Sequence, residues 1–416
     1  MRELIDSGVE WLGKIPAHWT TSKIAALYTL RNEKVSDRDY APLSVTNKGV
    51  VPQLETAAKT DAHDDRKLVR KGDFAINSRS DRRGSCGISP MDGSVSLINT
   101  ILAPNTEMNP EYYDWLFHTV QFGDEFYKWG HGIVDDLWTT GWQDMKKIVI
   151  PTPPLDEQGQ IACFLNHRCS ETEELIRTIQ SQIDVLEQYK RSVIIHAVTK
   201  GLSEDNEMKK SGIEYVGEVP AAWMIHPLYV YFAERKNKNS LGLETNLLSL
   251  SYGKVIRKDI NTNEGLLPES FNTYNIIEAG DIVIRPTDLQ NDKRSLRTGL
   301  AKEHGIITSA YIALKPIRQI NTAYYHYLLH AFDVMKVFYN MGNGVRQGLN
   351  FSEFSRLMVF EPPIDEQNDI VDFLNGKCEE IDLAIAEKNQ QLIVLDNYKK
   401  SLIFEYVTGK KEVPIA

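Results

Sequence analysis

Three arginines, Arg79, Arg82 and Arg83, follow a Gly-Asp pair at Gly72-Asp73, and Arg285, Lys293, Arg294 and Arg297 follow a second Gly-Asp pair at Gly280-Asp281. Clustered guanidinium and ammonium groups neutralise phosphates and donate to base edges, so each cluster is a candidate for local contact with nucleic acid. The background excludes anything broader: 47 Lys and Arg stand against 57 Asp and Glu, a formal net charge of −10. An acidic chain is no general polyanion binder. Contact with nucleic acid must therefore be local, or shared with a partner.

Bond-making chemistry has no footing in the motifs. There is no G-x-x-x-x-G-K-[ST] loop, no HExxH and no serine elbow, and the glycine cluster Gly342-Asn343-Gly344 with Gly348 misses the G-x-G-x-x-G spacing. Pro153-Pro154-Leu155 and Pro362-Pro363-Ile364 do not supply the Asp/Asn-Pro-Pro-aromatic tetrad of an amino methyltransferase. Asp156-Glu157 and Asp365-Glu366 have the residue types of metal ligands but read as helix starts, where the dipole favours acids. Cys86, Cys163, Cys169 and Cys378 lack CxxC spacing, which argues against zinc and disulfides. His118 and His330 fall in aromatic-rich helical stretches and read as packed or capped. No cofactor is expected.

The two basic clusters occupy equivalent places because the chain is duplicated. SGVEWLGKIPAHW at Ser7 to Trp19 returns as SGIEYVGEVPAAW at Ser211 to Trp223, an offset of 204 between the two tryptophans (223 − 19). PPLDEQ at Pro153 to Gln158, FLN at Phe164 to Asn166 and VTKG at Val198 to Gly201 return as PPIDEQ, FLN and VTGK, ending at Lys410, with an offset of 209 (365 − 156). Between these anchors the likeness is looser and the offset drifts, through Leu43-Ser44 with Leu248-Ser249 and Tyr112-Tyr113 with Tyr324-Tyr325. Two diverged modules on two matched frames imply one job done at two places.

Periodicity supplies the elements. From Asp156 to about Thr199 apolar residues recur at Ile161, Leu165, Ile176, Ile179, Ile183, Leu186, Tyr189 and Val193, the seam of a long helix. Ile370, Leu374, Ile381, Ile385, Leu392, Leu395, Tyr398 and Leu402 repeat it. Each seam needs a partner, and the two helices are expected to pack antiparallel on one another. Pro42 to Thr46, Phe74 to Asn77, Asp281 to Arg285 and Ile306 to Leu314 read as strands, Tyr112 to Lys128 and Ala323 to Tyr339 as helices. The order module, helix, module, helix predicts neighbouring termini and a pseudo-twofold axis. The fold class is α+β, with modules at 1–152 and 203–361 and long helices at 153–202 and 362–416. No apolar run approaches the ~18 residues of a membrane span, and the first residues lack a basic-then-apolar leader, so a cytoplasmic protein without a membrane is expected.

At SGVEWLGKIPAHW, PPLDEQ and the VTKG helix end, all doubled, the chain resembles the specificity subunits of type I restriction-modification enzymes, known as HsdS. The likeness spans essentially the whole chain. It implies two target-recognition domains separated by two long antiparallel coiled-coil helices, each domain reading half of a split double-stranded DNA target. It further implies helices that set the spacer and dock two methyltransferase subunits, with translocating nuclease subunits joining the full complex and no chemistry in the chain itself. The residues expected at DNA are Asn47, Lys48, Ser78, Arg79, Arg82, Arg83, His131 and Thr139 in the first module. In the second they are Tyr252, Lys254, Arg285, Thr287, Gln290, Lys293, Arg294, Arg297, Arg346 and Gln347. A coiled-coil scaffold, or the specificity subunit of another multisubunit restriction system, stands as the alternative.

Overall fold

The computed structural model describes residues 2–53, 63–132, 138–214, 216–260, 270–287, 296–337 and 348–414. The chain forms two compact units, Met1–Gln180 with Asn389–Ala416, and Ser181–Lys388. Each unit thus holds one module, the start of one long helix and the end of the other.

Both modules use the same four-stranded antiparallel sheet. In the first the order is Cys86–Ile88, Phe74–Asn77, Asn99–Pro104, Tyr28–Arg31; in the second it is Thr298–Leu300, Ile282–Ile284, Ile312–Pro316, Phe232–Glu234. Alternation along the central strands sends side chains to two different cores. Phe74, Ile76 and Leu102 enter the large core with the helices. Ala75 and Ile101 enter a small core closed by Leu43, Val50, Val69 and Val95. The second module repeats the small core with Val283 and Ala313 against Leu248, Ile277, Ala301 and Ile307.

The expected strand over Ile306 to Leu314 is two strands, Gly305–Ile307 and Ile312–Pro316, because Tyr311 N–H turns back to the Thr308 carbonyl (3.2 Å). The expected helix over Tyr112 to Lys128 is likewise two, Pro110–Phe117 and Val120–Lys128. Thr119 divides them: its hydroxyl donates to the Leu116 carbonyl (2.7 Å) and accepts from Phe122 N–H (3.2 Å), an N-cap that starts the second helix afresh. The helix read over Ala323 to Tyr339 runs Thr322–Val334. His118 caps the end of its helix, its Nδ1 2.8 Å from the Asp114 carbonyl.

The long helices are Leu155–Lys200, 46 residues, and Ile364–Val407, 44 residues. At ~1.5 Å per residue each is between about 65 and 70 Å long. Within the first unit Phe164 meets Tyr406 (ring centroids 4.5 Å) and Lys399 pairs with Glu173. Within the second, Lys190 pairs with Asp382 (2.6 Å) and Lys388 with Gln182 (2.6 Å). One partner's number rises as the other's falls, so the pairing is antiparallel in each unit. Ile161, Leu165, Ile179, Ile183, Ile370, Leu374, Ile381 and Leu402 are buried in the seam, whereas Tyr189 (47% exposed) and Tyr398 (43%) are not. No helix among the described residues is long and apolar enough to cross a membrane.

Candidate nucleic-acid interface

Repeated side-chain contacts tie each module to its helices. Asp73 and Asp281, the acids of the Gly-Asp pairs, are buried at the turn entering a central strand. Asp73 takes a forked pair of bonds from Arg31 (2.6 and 3.1 Å) and one from Arg70 N–H (2.8 Å). Asp281 repeats this with Arg235 (Nη2 to Oδ1, 2.9 Å, and Nε beside Oδ2) and Glu278 N–H (2.9 Å). The Asp73 hydrogen bond raises the pKa of the Arg31 guanidinium.

The tryptophan and DEQ anchors meet. Trp19 Nε1 donates to Glu157 (3.0 Å) and Trp223 Nε1 to Glu366 (3.0 Å). Glu157 also receives His18 (2.5 Å) and Arg2 (3.2 Å); burial alone would raise its pKa, but the bonds from His18 and Trp19 hold it below the usual carboxylate range. Gln158 and Gln367 each accept from a backbone N–H ahead of a module helix, Asn109 (2.9 Å) and Asn321 (3.0 Å). Tyr112 and Tyr324 donate to the carbonyls of Val407 (2.7 Å) and Val198 (3.4 Å) at the ends of the long helices. Gly201 and Gly409 follow those ends at φ +76° and +69°. A Cβ on Gly409 would lie 2.5 Å from Pro16, and one on Gly201 2.9 Å from Glu366, so each long helix is followed by a left-handed glycine, one position earlier in VTGK than in VTKG. Arg2 Nε donates to Glu412 (3.0 Å), bringing the two chain ends together as expected.

On this frame the variable residues sit in matching places. Asn47 and Lys48 form the exposed tip of the hairpin Leu43–Thr46/Gly49–Pro52; Tyr252 and Lys254 belong to the turn of its counterpart, Leu248–Ser251/Lys254–Arg257. Tyr252 is 86% exposed and adopts a left-handed φ of +46°. Past the central strands, Thr140 N–H bonds the Ser78 carbonyl (2.9 Å) and Leu349 N–H the Pro286 carbonyl (2.9 Å), one bond made twice. In the first module this places Arg79, His131 and Thr139 together, with Thr139 bridged to both other backbones. In the second it sets Arg285 and the exposed Thr287 at the equivalent edge.

The arginines of the first cluster are held by acids that a phosphate can displace. Arg79 and Arg82 flank Asp81 (3.2 and 3.7 Å), and Arg83 pairs with Asp124 (2.8 Å) while lying over the Tyr127 ring. Exposed pairs contribute only about 0–1 kcal/mol each, so exchanging the acid for a phosphate costs little. His131 Nε2 lies 3.4 Å from Asp144, whose pKa is lowered chiefly by the Lys147 hydrogen bond and further by His131.

Two expected contact residues are interior. Ser78 is 3% exposed with its hydroxyl on Thr100 (2.9 Å), and Arg297 is 0% exposed. Neither side chain is open to a groove, because the Ser78 hydroxyl is taken by Thr100 and the Arg297 guanidinium by the Thr287 carbonyl. Gln290, Lys293, Arg294, Arg346 and Gln347 lie outside the described residues. The residues that the sequence reading missed are Trp19, Tyr112, Arg31 and their partners in the second copy. The doubling of Trp, Tyr-Tyr and Gly-Asp was the available signal.

Superposition on solved structures decides what the frame is. The chain matches, over 95% of its length and 99% of the other's, a chain of a type I restriction-modification system solved for its complex assembly and conformational transition, with TM-score 0.70 and 13% identity. It matches the HsdS subunit of Thermoanaerobacter tengcongensis with TM-score 0.51 and 16% identity, over 95% and 98% of the two chains. The fold is that of a type I restriction specificity subunit. Sequence similarity agrees: 26% identity over 275 residues to a putative type I restriction enzyme MjaX specificity subunit of Methanocaldococcus jannaschii, 65% of this chain. The MjaVIII specificity subunit of that organism is 32% identical over 152 residues, 33% of this chain. The chain spans 60% and 33% of the lengths of these two relatives. No protein-family model matches. The specificity-subunit fold accounts for the paired modules and the helix pair, and among the described residues no cluster of His, Cys, Asp and Glu could hold a metal ion.

Proposed function

We propose that this chain is the DNA-specificity subunit of a type I restriction-modification complex and contributes recognition without bond-making chemistry. Each module reads one half of a split, asymmetric target. The observation that carries this reading is the pairing of a repeated frame with unlike residues at its equivalent edges: Arg79, His131 and Thr139 on one, Arg285 and Thr287 on the other. A fixed frame with differing polar side chains is what two different half-sites require, since base edges are distinguished by donor and acceptor pattern.

The helices hold the modules and dock two methyltransferase subunits, with translocating nuclease subunits in the full assembly. Support comes from apolar side chains exposed along them, including Leu175 (48%), Val185 (59%), Leu383 (61%) and Val394 (56%), which a partner would cover. Sharing the DNA with partners also accommodates a net charge of −10. Inserting seven residues in phase into both helices adds ~10 Å and should lengthen the unread spacer by about 3 base pairs at ~34 Å per turn, with both half-sites unchanged.

The test is genome-wide mapping of methylated adenine in cells that express this chain with a cognate methyltransferase subunit. The expected result is a split asymmetric motif present only with the chain. A folded complex with the methyltransferase that yields no motif would favour a coiled-coil scaffold.

A further inference from the structure

Arg297 carries a cation into the interior of the second module. The strand pair Ile282–Ile284/Thr298–Leu300 ends at Ile284 opposite Thr298, and one further bond, Arg285 N–H to the Arg297 carbonyl (2.9 Å), extends it. Arg297 N–H donates to Asp333 Oδ2 (2.6 Å) on the helix Thr322–Val334, and Asp333 is itself 1% exposed. The Arg297 guanidinium turns back through Nη1 to the carbonyl of Thr287, two residues past the last rung.

The first module has the same rungs without this link. Asn77 N–H bonds the Ser85 carbonyl (2.8 Å), as Arg285 N–H bonds that of Arg297, and the Thr140 and Leu349 bonds correspond. Ser85 stands in the place of Arg297, with no side chain long enough to cross to the other strand. A buried guanidinium carries a large desolvation cost, and well-packed apolar replacements of buried ionic groups are often neutral or stabilising. Stability is therefore a weak reason for an arginine here, and geometry a stronger one. Its planar fork of donors fixes direction as well as distance, which a lysine does not.

We propose that Arg297 is a positioning residue that holds Arg285 and Thr287 in the arrangement that reads DNA, and so sets the specificity of the second half-site alone. The inference rests on the DNA-reading role proposed above. It leads to a device present in one module and absent from its copy.

The experiment uses the full chain as wild type and as Arg297→Lys, with two readouts. Amide hydrogen exchange on the free protein needs no DNA. In the wild type, the Arg285 and Leu349 amides should exchange within about tenfold of Ile284, and in Arg297→Lys they should exchange at least about tenfold faster while Phe74–Asn77 is unchanged. Methylation mapping with the partner methyltransferase should then show a degenerate second half-site and an intact first one. Wild-type amides at Arg285 and Leu349 exchanging more than about 100-fold faster than Ile284 overturn the proposal without any variant. So does a folded Arg297→Lys chain with unchanged exchange and an unchanged second half-site. A wild-type chain that gives no split motif refutes the DNA-reading role, and the exchange readout still judges the brace.

Discussion

Removing the Asp281 carboxylate is expected to damage the second unit severely. Asp281 is 1% exposed and Arg235 15%, so Asp281→Ala leaves an enclosed guanidinium facing no counter-charge. Breaking a buried pair in this way costs about 3–5 kcal/mol, and the orphaned Glu278 amide adds about 1 kcal/mol. Against the ~5–15 kcal/mol of net stability typical of a domain, that is a large share. Asp73→Ala should cost less, about 2–3 kcal/mol, because Arg31 is 28% exposed and water reaches it once its partner is gone. The assay is urea unfolding of the full chain followed by residue-resolved hydrogen exchange, since two units need not unfold as one. Replacing both partners, Arg235→Met with Asp281→Leu, should restore at least about 2 kcal/mol relative to Asp281→Ala. A single substitution costing under about 1 kcal/mol, or a double variant as unstable as the sum of its singles, would falsify the buried-pair account.

Three further outcomes are expected. Tyr112→Phe should lose about 1–2 kcal/mol by stranding the buried Val407 carbonyl, more than Tyr324→Phe, since the bonds are 2.7 and 3.4 Å; thermal melts of the two variants rank them. His326 and His330 are both pushed down to about 4, chiefly by burial, and for His326 also by His330 beside it. A depressed imidazole contributes stability above its ordinary pKa near 6.5 and loses it as pH falls toward 4, so the second unit should weaken across that window by up to ~3 kcal/mol per imidazole. In His326→Gln this acid sensitivity should shrink, as pH-dependent urea midpoints will show. Neutralising Arg79, Arg82 or Arg83 should reduce the slope of log affinity against log salt by about 0.9 per lost phosphate contact, and three unchanged slopes would remove this cluster from the interface.

The duplication, the two long helices and the central strands were legible in the sequence because each is a local pattern. Recurrence at fixed offsets needs no structure, and a helical seam such as Ile161, Leu165, Ile179 and Ile183 states its own period. The fold class followed from order alone. Boundaries were harder: Thr119 splits a helix through a side-chain cap, and Thr308 to Tyr311 splits a strand whose halves join different partners. Both divisions depend on which groups find hydrogen-bond partners, and sequence spacing does not encode that.

Burial was decided by tertiary structure alone. Arg297 and Arg82 have the same side-chain chemistry, yet one is enclosed with its guanidinium on the Thr287 carbonyl and the other is 67% exposed. Trp19 and Glu157 are 138 residues apart, and their 3.0 Å bond exists only because a module folds back onto the start of its helix. Sequence therefore determined that there are two modules on one repeated frame. Tertiary structure decided which side chains hold that frame and which remain outside to meet a ligand, because solvent access and long-range contact are properties of the packed chain.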